Sequence, residues 1–299
     1  MPEYPDVTLY IEALEKRIQG EKLESVRLRH PFLLRTVDPP LEDLVDRRVL
    51  GLRRLGKRIV FDFEGELFLV IHLMIAGRFQ WCDAGAAIPG KLGLAALDFR
   101  GGSLLLTEAG SRKRGSMHVV AGPESLARFD PGGLEVVGSK RADFEAVLRS
   151  ESHTLKRALT DPRLFSGIGN AYSDEILHRA RLSPMKLTLR LADEESGRLH
   201  AAACGVLVEW TERLRSELGG LFPGKVTAFR EGMAVHGRYR KPCPDCGSPV
   251  QRIRYASNEC NYCARCQNEG RLLADRSLSL LLKKDWPRTL EELEERLAR

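Results

Sequence analysis

Residues 243–266 read CPDCGSPVQRIRYASNECNYCARC, and this stretch carries the strongest structural signal in the chain. It contains two CxxC pairs, Cys243 with Cys246 and Cys263 with Cys266, separated by 16 residues. Thiolates on two facing turns at this spacing are typical of zinc ribbons, in which four sulfur ligands complete a tetrahedron and leave no open position for catalysis. We therefore predict one structural zinc ion, held by these four cysteines.

Cys260 complicates this assignment, because Cys260 and Cys263 also form a CxxC pair. Choosing it would shorten the intervening segment to 13 residues, below the roughly 15 to 20 that such ribbons usually have. We therefore leave Cys260 out of the predicted site. The alternative to a metal site is chance clustering of buried thiols.

The composition of the 299 residues indicates a folded protein with an anionic partner. Hydrophobic residues make up 43% and charged residues 29% of the chain, enough for two compact domains and a small module. The apolar run at residues 67–74 is far below the ~20 residues of a membrane helix, and the N-terminus lacks an export signal. We expect a cytoplasmic protein with no membrane partner. The net charge of +6 favours an anionic partner, and residues 225–272 carry nine basic against four acidic side chains.

Apolar spacing predicts a leading helix followed by strands. Apolar residues recur at helical intervals over residues 7–18, and a glycine follows. Runs rich in β-branched and aromatic residues then predict hairpins over residues 58–74 and 94–107. The first part of the chain, residues 1–130, is therefore expected to form a β-sandwich or barrel.

The period changes to that of helices after the turn Asp130-Pro131-Gly132-Gly133. Helical patterns follow over residues 142–165, 171–180 and 192–218. The predicted architecture is α+β and multidomain, with a sandwich over residues 1–130, a helical domain over 131–225, a zinc finger over 226–270 and an extension over 271–299. A packing helix is expected in the extension, because Thr289 and Glu292 form a capping-box pattern.

The turn Ser166-Gly167-Ile168-Gly169-Asn170 lies between two helical patterns. A helix that starts directly after a glycine turn directs backbone N–H groups outward, where a phosphate oxygen can bind. Lys156 precedes the turn and adds positive charge. The alternative is a plain connection between two helices.

Pro2 is a candidate nucleophile, because initiator methionine is usually removed before a small residue and would leave a secondary amine. An α-amino group with a pKa near 8 is partly unprotonated at neutral pH, unlike a lysine at ~10.4, so it can attack an aldehydic carbon. Glu3 places a carboxylate beside it. The alternative is an inert terminus.

Two basic runs accompany the predicted strands. Lys57 belongs to the run at residues 53–58, and Arg112, Lys113 and Arg114 fill a predicted loop. As two loops of one basic face they can bind the phosphates of a duplex, although each alone is typical of a solvated surface. His72 lies in an apolar run, where a core histidine is the usual interpretation.

Together these motifs resemble the formamidopyrimidine-DNA glycosylase and endonuclease VIII family. The resemblance covers residues 2–267 and rests on the order and spacing of Met-Pro-Glu-x-Pro-Asp at the start, Lys57, His72-Leu73, Gly167-Ile168-Gly169-Asn170, His236-Gly237-Arg238 and the four-cysteine ribbon. It implies an N-terminal β-sandwich, a helix-two-turn-helix domain and a zinc finger. Its implied partner is damaged double-stranded DNA, bound by a monomer.

The implied activity is that of a DNA glycosylase and abasic-site lyase in base-excision repair. By this resemblance, Pro2 attacks C1′ of a flipped-out nucleotide and forms an imine that permits strand cleavage, while Glu3 moves protons and Lys57 joins the catalytic set. The residues implied in DNA contact are His72, Arg112, Lys113, Arg114, Lys156, Gly169, Asn170, Arg238 and Asn258.

The chain departs from the family pattern at several of these places. Asn258 stands where the family's finger usually has an arginine, which removes a permanent charge and a forked donor. Met74 and Ile75 replace a glycine and a methionine, Asp6 replaces a glutamate, and residues 108–114 lack the customary Pro-Arg-Arg-Phe-Gly. Two other functions stay open: a non-catalytic binder of damaged or branched DNA on the same scaffold, and a zinc-dependent transcription factor.

Overall fold

The computed structural model describes residues 1–255, 258–275, 279, 281 and 286–298. The chain divides into two compact units, Met1–Pro131 with Glu209–Ala228, and Gly132–Val208 with Phe229–Arg299. The first unit contains the predicted sandwich, and the second combines helical residues with the cysteine ribbon in one unit. Within the described part of the chain, no helix combines the length and the apolar character that crossing a membrane requires.

The first unit opens with helix α1, Tyr4–Ile18, which confirms the predicted leading helix. Its start is capped by a pair of acidic residues, since Asp6 Oδ2 accepts the Glu3 N–H at 2.9 Å. The helix ends before Gly20, whose φ of 80° suits a residue without Cβ. Its apolar side is fully buried against the sheets.

Eight strands follow, and they confirm the predicted β-sandwich and both predicted hairpins. Their bounds are β1 Leu23–Leu28, β2 Val49–Leu55, β3 Arg58–Phe63, β4 Leu67–His72, β5 Gly77–Cys82, β6 Gly93–Phe99, β7 Gly102–Glu108 and β8 Ser116–Ala121. They form two four-stranded sheets in the orders β1-β6-β7-β5 and β2-β3-β4-β8, with antiparallel pairing throughout. Short 3₁₀ helices at Pro31–Leu33 and Leu41–Leu44 and helix α2, Pro123–Ala127, complete this part.

The strand register brings several chain segments to one end of the sandwich. Arg58 at the start of β3 pairs with His72 at the end of β4, and His72 pairs with Ser116 at the start of β8. In the other sheet, Gly77 at the start of β5 pairs with Glu108 at the end of β7. The basic loop between β7 and β8 therefore begins and ends at this end of the sheets.

The second unit contains the remaining helices and a small sheet. Their bounds are α3 Arg141–Arg149, α4 Leu155–Thr160, α5 Asn170–Arg179, a 3₁₀ helix Thr188–Arg190, α6 Asp193–Leu218, β9 Gln251–Arg254, β10 Glu259–Tyr262, α7 Ala264–Asn268 and α8 Leu290–Ala298. Residues 193–208 of α6 belong to this unit and its last residues to the first. Strands β9 and β10 form the hairpin of the cysteine ribbon.

The helical pattern predicted over residues 142–165 corresponds to two helices, because the chain leaves the helical conformation between α3 and α4. Thr154 forms a bridge with Leu187 instead, the Thr188 N–H donates to the His153 carbonyl at 2.9 Å and the Leu155 N–H donates to the Lys186 carbonyl at 2.8 Å. These bonds to a distant segment replace the bonds that a continuing helix would form.

The C-terminal extension packs on the ribbon. Leu290, the first residue of α8, is 1% exposed and belongs to a core cluster with Ile253, Cys260 and Tyr262. The Thr289 hydroxyl accepts the Glu292 N–H at 3.3 Å, as the capping pattern predicts. The predicted packing helix is therefore present. Residues 276–278, 280, 282–285 and 299 of the extension lie outside the described residues.

Candidate functional site

The candidate site of the first unit is built around the N-terminal amine. Pro2 and Glu3 are buried, and burial lowers the pKa of the amine below its ordinary value of 8.0. The charges of Glu3 and Asp6 oppose this shift, whereas those of Arg78 and Lys57 reinforce it. In the translated chain the amine belongs to Met1 and the Pro2 nitrogen is an amide. The structure thus brings the three predicted catalytic residues, Pro2, Glu3 and Lys57, into one region.

Lys57 and His72 are neighbours through the sheet register. Lys57 occupies the two-residue turn between β2 and β3, where Gly56 adopts a φ of 62°. The next residue, Arg58, lies opposite His72. Burial first, then the charges of Arg58 and Lys57, lower the pKa of His72 to about 4, so the ring is neutral at pH 7. Its Nε2 atom is buried and has no hydrogen-bond partner among the described residues.

The basic loop between β7 and β8 is fixed by Glu108, which is 2% exposed. Its carboxylate accepts the Arg114 N–H at 2.9 Å and the Gly115 N–H at 3.0 Å. Arg112 and Arg114 are exposed. Lys113 turns inward, and its ammonium donates to the Glu108 carbonyl. The loop therefore presents two exposed arginines, whereas Lys113 is half-buried.

Sequence reasoning missed Arg78 and Glu108 as site residues. Arg78 follows Gly77 at the start of β5; its Nε donates to the Val226 carbonyl, and its charge acts on the N-terminal amine. Neither residue lies in a recognisable motif. Only the pairing of β5 with β7 places them together, and no local sequence signal identifies that pairing.

The turn at residues 166–170 leads into α5, with Gly167 at a φ of 78° and Gly169 buried at the helix cap. Asn170 begins the helix. Its side-chain Nδ2 donates to the Glu259 carbonyl of β10 at 3.0 Å. The same amide therefore joins the turn to the ribbon hairpin.

Lys156, which the resemblance implies in DNA contact, directs its ammonium into the second unit. It donates to Asp174 Oδ1 at 2.5 Å, to Ser173 Oγ at 2.8 Å and to the Asn170 carbonyl at 2.7 Å. Its side chain is 10% exposed and that of Asp174 is fully buried. A phosphate cannot reach this ammonium without breaking a buried ion pair, so in this structure Lys156 supports the turn from inside.

The segment before the ribbon is held by Glu175, another residue that sequence reasoning passed over. Its buried carboxylate accepts three backbone N–H groups, those of Ala234, Val235 and His236, at 2.7, 3.0 and 2.9 Å. Burial raises the pKa of Glu175, although these bonds oppose the shift. Arg238 follows, and its Nη2 donates to the Pro242 carbonyl at 3.0 Å.

Asn258 lies on the turn of the β9–β10 hairpin and is exposed. Its carbonyl accepts the Tyr255 N–H at 2.7 Å. Arg252 Nη1 forms an ion pair with Glu259 Oε2 at 3.3 Å, and the Arg252 guanidinium carbon lies 4.1 Å from the centre of the Tyr239 ring. Arg254 is exposed.

The four cysteines Cys243, Cys246, Cys263 and Cys266 form one cluster in which all sulfur atoms lie within 4.8 Å of one another. The Sγ atoms of Cys243 and Cys266 are 3.9 Å apart, and those of Cys246 and Cys263 are 3.4 Å apart. A tetrahedral zinc with bonds of about 2.3 Å places sulfurs ~3.8 Å apart. The cluster therefore fits a metal ion of this kind. Cys260 is not in the group; it packs against Ile253, and burial raises the pKa of its thiol.

Two family descriptions match the chain. Residues 1–117 match the formamidopyrimidine-DNA glycosylase N-terminal domain, and residues 137–217 match the formamidopyrimidine-DNA glycosylase H2TH domain. Proteins named formamidopyrimidine-DNA glycosylase are similar over most of the length. That of Desulforamulus reducens is 30% identical over 89% of this chain and 99% of its own. That of Thermus thermophilus is 33% identical over 90% of this chain and 100% of its own.

Solved structures of the Lactococcus lactis protein Fpg are similar in fold. A complex with DNA containing FAPY-dG has a TM-score of 0.79 at 26% identity and covers 89% of this chain and 100% of that one. A complex with DNA containing an abasic site has a TM-score of 0.78 at 26% identity, with coverage of 89% and 99%.

Proposed function

Because the chain belongs to the formamidopyrimidine-DNA glycosylase family, we propose that it excises damaged bases from duplex DNA in base-excision repair and cleaves the resulting abasic site. The observation that carries the proposal is that Pro2 and Glu3 are buried beside the N-terminal amine of Met1, and that the charges of Glu3 and Lys57 both act on this amine. The DNA complexes of the Lactococcus lactis protein support damaged duplex DNA as the partner. We propose that the protein acts as a monomer.

The proposed nucleophile is the Pro2 nitrogen, freed by removal of Met1. A bond forms from this nitrogen to C1′ while the C1′–base bond breaks, and the base leaves with a proton. Opening of the sugar breaks the C1′–O4′ bond, O4′ takes up a proton, and an iminium ion forms between C1′ and the Pro2 nitrogen. Loss of a C2′ proton then breaks the C3′–O bond and expels the 3′ phosphate. Glu3 carries protons at the sugar. Only an unprotonated amine attacks, so an environment that lowers an amine pKa favours this chemistry. Burial has this effect on the Met1 amine, which stands next to Pro2 before processing.

The proposed DNA contacts use fewer residues than the sequence predicts. In the first unit, Arg112 and Arg114 are exposed and suited to phosphates, and His72 offers a neutral N–H rather than a charge. In the second unit the proposed contacts are Gly169, Asn170, Arg238 and Asn258. Arg254 is an exposed cation four residues before Asn258 in the sequence, and its proposed role is to replace part of the charge of the missing family arginine.

Zinc is the proposed metal, with a structural role. The four cysteine sulfurs would hold it and leave no position open, so the ion stabilises the β9–β10 ribbon and takes no part in the reaction.

Borohydride trapping on a duplex with an abasic site tests the proposal. Reduction of the iminium ion links protein to DNA covalently, and peptide mapping of the adduct should locate the link at Pro2. The variant Pro2→Gly keeps a terminal amine but makes it primary, so trapping should weaken more than binding does. The protein that retains Met1 is the matched control, because it has the same side chains and an amide at Pro2.

Two results would count against this mechanism. Binding without any trapping would favour the non-catalytic binder of damaged DNA. Equal trapping by the Met1-retaining protein would move the nucleophile elsewhere, with Lys57 the first candidate.

A further inference from the structure

His178 lies beside the cysteine cluster but belongs to α5, not to the ribbon. It occupies the last turn of that helix and is 3% exposed. Its Nε2 atom lies 3.3 Å from Cys243 Sγ and 3.7 Å from Asp245 Oδ2. Both neighbours are hydrogen-bond acceptors when the cysteine is a thiolate, so a proton on Nε2 would point at an acceptor.

We propose that His178 is a positioning residue of the metal centre, whose Nε2–H donates a hydrogen bond to the zinc-bound thiolate of Cys243. This inference rests on the proposed zinc site. It assigns to α5 a direct role in metal retention.

Charge explains why such a donor is needed. Four thiolates around Zn²⁺ leave a net charge of −2, which is costly to bury unless hydrogen bonds offset it. Cys246 and Cys266 are half-exposed and can be hydrated, whereas Cys243 and Cys263 are buried. Among the described residues, a nitrogen lies within hydrogen-bond distance of each buried sulfur: Cys263 Sγ accepts the Cys266 N–H at 3.4 Å, and Cys243 Sγ faces His178 Nε2 at 3.3 Å.

Asp245 contacts both His178 and a neighbouring arginine beside the cysteine cluster. Its carboxylate pairs with Arg181 at 2.8 Å and lies beside the His178 ring. The atoms of His178, Asp245 and Cys266 lie within 4.8 Å of one another, so the alternative to a donor is a direct ligand that replaces a cysteine. The position of the Nε2 proton separates these two roles, because a metal-bound nitrogen carries no proton.

The first experiment measures the affinity for zinc in the full-length chain by competition with a chromogenic chelator. His178→Phe keeps a ring and removes the N–H, so the dissociation constant for zinc should rise about 10- to 100-fold, the range usual for a lost partner of a metal ligand. His178→Gln retains an N–H donor and should recover most of the affinity. The matched control is His200→Phe, because His200 Nε2 lies 3.5 Å from Cys204 Sγ, outside the metal cluster, and its removal should leave zinc binding unchanged.

The second experiment needs no variant, so a folding defect cannot obscure it. A long-range ¹H–¹⁵N spectrum of the zinc-loaded wild-type protein should show His178 protonated at Nε2. A dissociation constant within about threefold of wild type for His178→Phe, or an unprotonated, metal-shifted Nε2, would overturn the inference. A wild-type protein purified without zinc and unable to bind it would instead overturn the proposed zinc site itself.

Discussion

Replacing Lys156 with methionine separates a buried structural role from a DNA contact. The substitution removes the ammonium that donates to Asp174 Oδ1 at 2.5 Å and leaves a fully buried carboxylate. Removing one member of a buried ion pair typically costs 3 to 5 kcal/mol, roughly. We expect about 3 kcal/mol, the lower end, because Asp174 Oδ2 keeps the His236 Nδ1 contact at 2.8 Å and the Asn261 N–H at 3.1 Å.

Two measurements on the same variants check this reasoning. Urea denaturation gives the free energy of unfolding, and binding to a lesion duplex at several salt concentrations gives the number of phosphate contacts. In an Asp174→Asn background, Lys156→Met should cost less than in wild type, because no buried charge is then stranded. The matched control is Arg112→Met, which should leave stability within about 0.5 kcal/mol and lower the salt slope by about 0.9.

The opposite pattern would refute the buried role of Lys156. If Lys156→Met retained wild-type stability and lowered the salt slope by about 0.9, the lysine would reach a phosphate when DNA is bound. The hydrogen bonds to Ser173 and the Asn170 carbonyl would then describe only the free protein.

Three further predictions follow from single residues. The pKa of His72 is about 4 in the folded protein and 6.5 in the unfolded chain, so between these pH values only the unfolded chain binds this proton. As the pH falls from 6.5 to 4, the free energy of unfolding should therefore decrease by up to about 1.4 kcal/mol per pH unit. The variant His72→Gln should flatten this part of the curve of unfolding free energy against pH. Met74 has a φ of 53°, so Met74→Gly should raise the free energy of unfolding by about 0.5 to 1 kcal/mol while Met74→Ala should not. Asn258→Arg adds a charge-assisted phosphate contact of about 1.5 to 3 kcal/mol, which should increase cleavage of an oxidised-base duplex roughly ten- to hundredfold. Binding to undamaged DNA should change less. If cleavage of no lesion increases, residues 74–75 and 112–114 limit the activity instead.

Elements with a local signal were predictable from the sequence. Helix α1 and the hairpins of β3–β4 and β6–β7 follow from periodicity and turn residues, which act over a few positions. The break between α3 and α4 was not predictable, because it depends on bonds between residues 153–155 and 186–188. Tertiary pairing there overrides helical periodicity.

In the candidate site, the sequence predicts which residues are present but not where their side chains point. Motif spacing identified the four cysteines, whose sulfurs do cluster. It also assigned Lys113 and Lys156 to DNA, although both ammonium groups turn inward. Their partners explain this orientation: Glu108 and Asp174 lie 5 and 18 residues away, and neither is marked by a sequence pattern. The DNA contacts of the two lysines stay predictions. A charge count measures how many cations a segment has, not how many of them face solvent.

The strand register brings together the residues of the candidate site in the first unit. Residues 57, 72 and 112–114 are far apart in sequence, yet the pairs Arg58–His72 and His72–Ser116 bring the turn, the end of β4 and the basic loop to one end of one sheet. Because side chains alternate between faces, a slip of one residue in β4 would put Phe68, Val70 and His72 in the main core in place of Leu67, Leu69 and Ile71. Such a slip would bury the polar ring of His72 in the main core and exchange side chains of different shape between two packed faces, so the packing of both faces opposes it. The hydrophobic core of the sandwich therefore fixes the geometry of the polar residues at its end.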